Sequence, residues 1–266
     1  MSGRSPATIG PMTVPSREEA ARLLLSLEPP AWHLRHSRAV AEIAGWLALR
    51  AGTGGARLGV SGGRPPGGGA ARGGAARGGA ARGGAARGFI VDRGLVEAAA
   101  LLHDVDKLLP GERRPAGAHG EAGGRWLAAR GYPEVAEAVE LHPVTLLTDS
   151  AGARRVLGAP VEARIVAYAD KRAGQRMESM ADRFDRWRRQ HPHSRSGDSW
   201  SSAVSEAAWR HARELELAIC ELVGVRPEDI QRLPWTGRAL AAAAVPTAAA
   251  VPTAARAGRT PAGARR

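Results

Sequence analysis

The apolar positions of this chain recur at helical spacing. Leu34, Val40, Ile43, Ala44 and Leu47 lie near one stripe, which predicts a helix over 31–51. Leu95, Val96, Ala99, Leu102 and Val105 repeat the spacing. They predict a helix over 93–107 with Asp92 as its N-cap. Ser16-Arg17-Glu18-Glu19 has the form of a capping box. It opens a short helix over 16–27, which Pro29-Pro30 stops. Further helices are predicted at 119–130, closed by Gly131, and at 133–142, with Pro133 in the first turn. A short helix at 150–157, a long one from Pro160 to about Arg189 and one over 199–223, ending at Gly224, follow. Pro227 opens a final short turn, and no stretch sustains the two-residue alternation of a strand.

Three segments interrupt this pattern. Residues 1–15 are rich in Gly, Pro and Ser; residues 54–88 repeat Gly-Gly-Ala-Ala-Arg from Gly68 to Arg87; beyond Trp235 the chain turns to Ala, Pro, Thr and Arg. None can bury a core, and each Gly carries a large ordering entropy. The expectation is one helical domain over 16–235 between a disordered N-terminus and a disordered tail at 236–266. Residues 54–88 would be a flexible insertion within that domain.

Composition supports an all-α class. Hydrophobic residues make up 44% of the 266, but Ala, Leu and Val supply most of them, with two Phe and two Tyr. Ala and Leu lose little side-chain freedom in a helix. The net charge of +12 suggests a polyanionic partner until its distribution is read. The insertion carries six Arg and the tail five, with no acid in either, so the remainder is nearly neutral. Nucleic acid is therefore not an expected partner, beyond weak attraction to the Arg-rich segments. The single cysteine, Cys220, cannot form an internal disulfide, which fits a reducing compartment. Its run Leu217-Ala218-Ile219-Cys220 reads as core. No apolar run approaches the ~20 residues of a membrane helix, and the N-terminus lacks a signal peptide's apolar core. A cytoplasmic location with no membrane partner is the expectation.

The candidate chemistry lies in ligand-type side chains spread over the helical part. His36 begins the run His-Ser-Arg-Ala-Val-Ala. His103-Asp104 follows the apolar Ala98-Ala99-Ala100-Leu101-Leu102. His119 opens one predicted helix, His142 closes another, and Asp170 follows Ile165-Val166-Ala167-Tyr168-Ala169. A carboxylate after such a run should be buried, and a buried charge needs a partner. A divalent cation is one such partner. For Asp170 an ion pair with Lys171 or Arg172 is another. His103-Asp104 also reads as a helix end with a capping Asp, and His119 and His142 as residues at helix termini. His33 rivals His36 but lacks the apolar run that follows it. Asp106 is either a partner of a ligand histidine or solvated. His191, His193 and His211 read as surface or packing residues. Trp126, Trp187, Trp200, Trp209 and Trp235 read as core. Two carboxylates with several imidazoles suit Mn, Fe, Co, Ni or Zn better than Ca or Mg. One cysteine excludes a structural zinc site built on two or more thiolates.

The order His36, His103-Asp104, Asp170, with Leu-Leu-His-Asp-Val-Asp-Lys over Leu101–Lys107, resembles the HD superfamily of metal-dependent phosphohydrolases across 30–190. His119-Gly120-Glu121-Ala122-Gly123, the Glu137–His142 segment and Val-Ala-Tyr-Ala-Asp resemble more narrowly the bacterial HD-type enzymes that cleave diadenosine tetraphosphate symmetrically. Pro143-Val144, Asp106 and residues 190–223 depart from that narrower pattern. The resemblance implies an HD-type helical bundle holding one or two divalent ions. His36, His103, Asp104 and Asp170 would hold the first ion, and Asp104 would bridge to a second held by His119 and His142. A metal-bound hydroxide would attack phosphorus in a small-molecule nucleotide or other phosphoester. Lys107, four residues past His103, would assist catalysis and contact a substrate phosphate, with Arg172 and Arg176 as further contacts. A degenerate HD module that binds nucleotide without cleaving it is the alternative. The sequence does not fix an oligomeric state.

Overall fold

A computed structural model describes residues 14–52, 91–190 and 202–233. Most of the N-terminal segment, the insertion, the tail, and His191, His193, Trp200 and Trp235 lie outside the described residues.

The described chain forms ten α-helices: α1 Arg17–Leu25, α2 Ala31–Gly52, α3 Arg93–Leu102, α4 Glu121–Ala128, α5 Pro133–Glu140, α6 Ser150–Leu157, α7 Val161–Lys171, α8 Met180–Gln190, α9 Ser202–Val223 and α10 Pro227–Gln231. Among these residues there is no strand, only an isolated bridge between Ala173 and Met177. The capping box is formed. Ser16 Oγ accepts the Glu19 N–H at 3.2 Å, and the Glu19 carboxylate accepts the Ser16 N–H at 3.3 Å. Asp92 caps α3 through the Leu95 N–H at 3.0 Å.

The central helix α3 packs against α1, α2, α5 and α7; α4 pairs with α5, and α9 packs on α7. Ala98, Ala99 and Ala100 are fully buried, and their small size lets neighbouring helices approach closely. Leu101 and Leu102, also fully buried, each contribute roughly 1.5–3 kcal/mol by leaving water. One continuous core draws on every helix, from Ala20 in α1 to Ile230 in α10. Cys220 belongs to it, 3.5 Å from the Tyr168 hydroxyl. Trp126 is buried, and Trp187 and Trp209 pack around Phe184 with ring centroids 5.0 and 5.3 Å away.

Two helices differ from expectation in ways that shape the site. The helix expected to reach Lys107 stops at Leu102, and a 3-10 turn over Val105–Leu108 follows. His103 lies 2.9 Å through Nδ1 from the Ala100 carbonyl, one of the carbonyls a helix end leaves open. The helix expected over 160–189 is two, α7 and α8, separated by residues 172–179. Within that break the Gly174 carbonyl accepts from His36 Nδ1 at 2.8 Å. A side chain at Gly174 would collide with Arg186, its Cβ 2.5 Å from Nη2. No proline marks the break, so the sequence reads through it. Helices α4 and α5 are also shorter than expected, which leaves His119 and His142 just outside them.

Candidate metal centre

Four histidines converge from different elements. His36 comes from the second turn of α2, His103 from the end of α3, His119 from the residues before α4, and His142 from the residues after α5. Each holds Nδ1 against a fixed acceptor. His36 uses the Gly174 carbonyl at 2.8 Å, His103 the Ala100 carbonyl at 2.9 Å, and His142 the Val139 carbonyl at 2.6 Å. His119 uses the Asp106 carboxylate at 3.1 Å. An Nδ1–H that donates to an oxygen leaves Nε2 as a lone pair. The Nε2 atoms of His36 and His103 then face each other at 3.0 Å, and those of His119 and His142 at 3.2 Å. Two lone pairs at such distances repel unless a cation or proton lies with them.

Asp104 stands between the two pairs. Its Oδ2 lies 3.5 Å from His36 Nε2 and 3.6 Å from His103 Nε2. Its Oδ1 lies 3.2 Å from His119 Nε2 and 3.5 Å from His142 Nε2. Asp170 joins the first pair, with Oδ1 3.3 Å from His36 and 3.8 Å from His103. Two groups therefore have the spacing to hold a metal ion, His36-His103-Asp104 and Asp104-His119-His142. The donor set of imidazole nitrogens and carboxylate oxygens fits divalent transition metals.

Surrounding residues fix this arrangement. Buried Lys171 donates to Asp170 Oδ2 at 2.8 Å and to the His142 carbonyl at 2.5 Å. It occupies one oxygen of Asp170 and leaves Oδ1 toward the histidines. Asp106 is buried and holds His119 with one side and Arg114, at 3.2 Å, with the other. Of its two readings, the structure excludes a solvated carboxylate and makes Asp106 the partner of His119. His33 is buried but faces elsewhere, its Nε2 3.3 Å from the Asp104 carbonyl and its Nδ1 3.3 Å from Ser37 Oγ. Gly120, with φ of 84°, brings the His119 segment against Pro143, where a Cβ would meet Cγ at 2.5 Å. The departure at Pro143 thus packs the two halves of the second group together. His211 packs away from both groups, 2.8 Å from the Leu147 carbonyl.

Electrostatics follow from burial and crowding. Burial pushes His103 well below its usual range and lowers His142, so both are neutral and able to act as ligands. Burial alone would raise Asp104, but the crowding of His103, His119, His142 and Lys107 around it holds it well below the carboxylate range. Asp170 is held low against the same burial by Lys171 and His36. His119 moves the other way: burial opposes its charge, but Asp104 and Asp106 raise it to about 9. The attraction that keeps a proton there would equally hold a cation.

All six predicted ligands are thus brought together. Lys107 joins them, although the 3-10 turn rather than a helix face carries it; its Nζ lies 2.8 and 2.9 Å from the two oxygens of Asp104. Arg172 does not reach the site. It is buried and fully engaged with Glu216 and Tyr168, and with the Glu178 and Pro227 carbonyls. Arg176 is exposed beside Glu178 and lines no part of the cleft. A cavity of about 160 Å³ opens over His36, Asp104, Lys107, His119 and Asp170. Its wall includes Arg183 and Trp187 of α8. No motif marks these two in the sequence. The four-residue spacing of a cation and a large aromatic on one helix face was the only available signal.

An all-helical bundle that converges four histidines and two aspartates in this way has the donor set of a metal-binding domain. The HD domain family matches residues 34–174, more than half of the chain, and the chain belongs to that family. All six ligand-type residues fall inside the matched span; Arg183 and Trp187 lie beyond it. No curated protein and no solved structure matches the chain. Nothing in these comparisons bears on the diadenosine tetraphosphate hydrolases.

Proposed function

We propose that this protein hydrolyses a phosphoester or phosphoanhydride bond of a nucleotide with two divalent transition-metal ions. The supporting observation is the division of Asp104, one oxygen toward His36 and His103 and the other toward His119 and His142. His36, His103, Asp104 and Asp170 would hold one ion, and Asp104, His119 and His142 the other. When bound, such ions acidify water and neutralise charge developing on phosphoryl oxygens.

The chain's own residues supply binding and orientation. Lys107 sits on Asp104, half exposed to the cleft. Were Asp104 to hold metal, the Lys107 ammonium would be free to contact a phosphate in the cleft. Lys171 fixes Asp170 and the His142 backbone as one unit. Two divalent ions with Lys107, Lys171 and Arg183 outweigh Asp104 and Asp170, so the loaded cleft favours a polyanion. Trp187 adds an aromatic side chain to the cleft wall. Pro143 does not displace His142 from Asp104, which favours cleavage over binding alone.

The test is phosphate release from a panel of nucleotides, diadenosine tetraphosphate among them, with Mn or Fe present and metal content measured by elemental analysis. Turnover that vanishes in Asp104→Ala supports the reading. No release with any substrate, or an unchanged rate in that variant, rejects it.

A further inference from the structure

Arg183 is a cation without a conventional partner. Its Nε is buried and has no hydrogen-bond partner. Its nearest carboxylate oxygen, Asp170 Oδ1, is 4.0 Å away, beyond hydrogen-bond range. Asp170 is already neutralised by Lys171 at 2.8 Å. The guanidinium is instead supported by Trp187, whose ring centre lies 4.5 Å from it. Phe184 and the Glu178–Arg186 ion pair anchor the rest of α8. The helix therefore holds a guanidinium at the wall of the cleft, beside the ligand carboxylate, with donors to spare.

We infer that Arg183 binds a phosphoryl group of the substrate, with Trp187 as the platform that positions it. This rests on the hydrolase reading, because it presumes a phosphorylated ligand in the cleft. A planar guanidinium matches phosphoryl oxygens in a way an ammonium does not. Its position beside Asp170 places that contact at the wall of the cavity that His36, Asp104 and His119 also line. Arg172 shows the contrast: Glu216, Tyr168 and the Glu178 and Pro227 carbonyls take four hydrogen bonds from its guanidinium, away from the cleft.

The experiment is isothermal titration of inorganic phosphate into the full chain loaded with Mn, with metal content measured in parallel. Phosphate binding requires no turnover. Arg183→Gln is expected to weaken phosphate by about tenfold to a hundredfold while retaining its metal. Arg183→Lys, which keeps charge but not the fork, is expected to fall between. Unchanged affinity in Arg183→Gln overturns the inference. So does joint loss of metal and phosphate, which would make Arg183 a support for Asp170. If the Gln variant does not fold, the Lys variant decides, and wild-type affinity there overturns the inference. A wild type that binds phosphate through Arg183 but cleaves no substrate removes the hydrolase reading alone. One that cleaves nucleotides while Arg183→Gln keeps its affinity removes this inference alone.

Discussion

The Asp106 carboxylate lies 3.1 Å from Nδ1 of His119, and so decides which nitrogen of that ring faces Asp104. Ligand histidines held this way lose metal affinity when the outer partner is removed, by about 10–100-fold. Asp106→Asn should therefore weaken the second ion by that factor and leave the first, at His36 and His103, nearly intact. Metal titration followed by elemental analysis would show one tight and one weakened equivalent. Equal weakening of both would contradict the division at Asp104.

The pH response of the metal-free protein has a definite sign. His119 is raised from 6.5 to about 9 in the folded chain, against burial, by Asp104 and Asp106. Its stabilising contribution is complete below 6.5 and disappears as pH rises through about 9. Chelator-treated protein should therefore lose melting temperature between those values, and His119→Asn should lose less. Over the same interval metal uptake at His119 should improve, because the competing proton leaves. A wild type and variant with parallel melting curves across this range would refute the assignment.

Arg172 and Glu216 are both about 1% exposed and paired at 2.9 Å. Removing one partner of such a pair costs about 3–5 kcal/mol, since the other charge stays buried. Arg172→Met should show that loss in urea unfolding. Its folded fraction should keep wild-type metal content and wild-type KM. A raised KM with unchanged stability would restore the substrate-binding role that the sequence suggested.

Gly120 and Gly111 offer a matched comparison. Gly120 has φ of 84° and no room for a Cβ beside Pro143, whereas a Cβ on Gly111 would meet nothing within 4 Å. Gly120→Ala should cost about 1–3 kcal/mol and lower occupancy of the His119 and His142 group. Gly111→Ala should lie within about 0.5 kcal/mol of wild type. Thermal melts and metal analysis on both variants would check the pair.

His36, His119 and His142 were legible through motifs that resemble the HD superfamily, and His103-Asp104 and Asp170 because they follow apolar helical runs, where an uncompensated polar group is costly. Helix type and order were legible from apolar periodicity and capping signals, from α1 with its capping box to α9. The break at 172–179 was not, because no residue there forbids a helix; His36, distant in sequence, takes the Gly174 carbonyl. Arg172 was misread because its partners, Glu216 and Pro227, lie more than forty positions away.

The sequence by itself determined which residues offer metal-ligating groups and that a helical framework surrounds them, since periodicity and side-chain chemistry are local properties. Tertiary structure decided which oxygen of Asp104 meets which histidine, which arginine enters the cleft and which is spent in the core. Those outcomes depend on distances between segments far apart in the chain, and the packing of α2, α3, α5, α7 and α8 sets them.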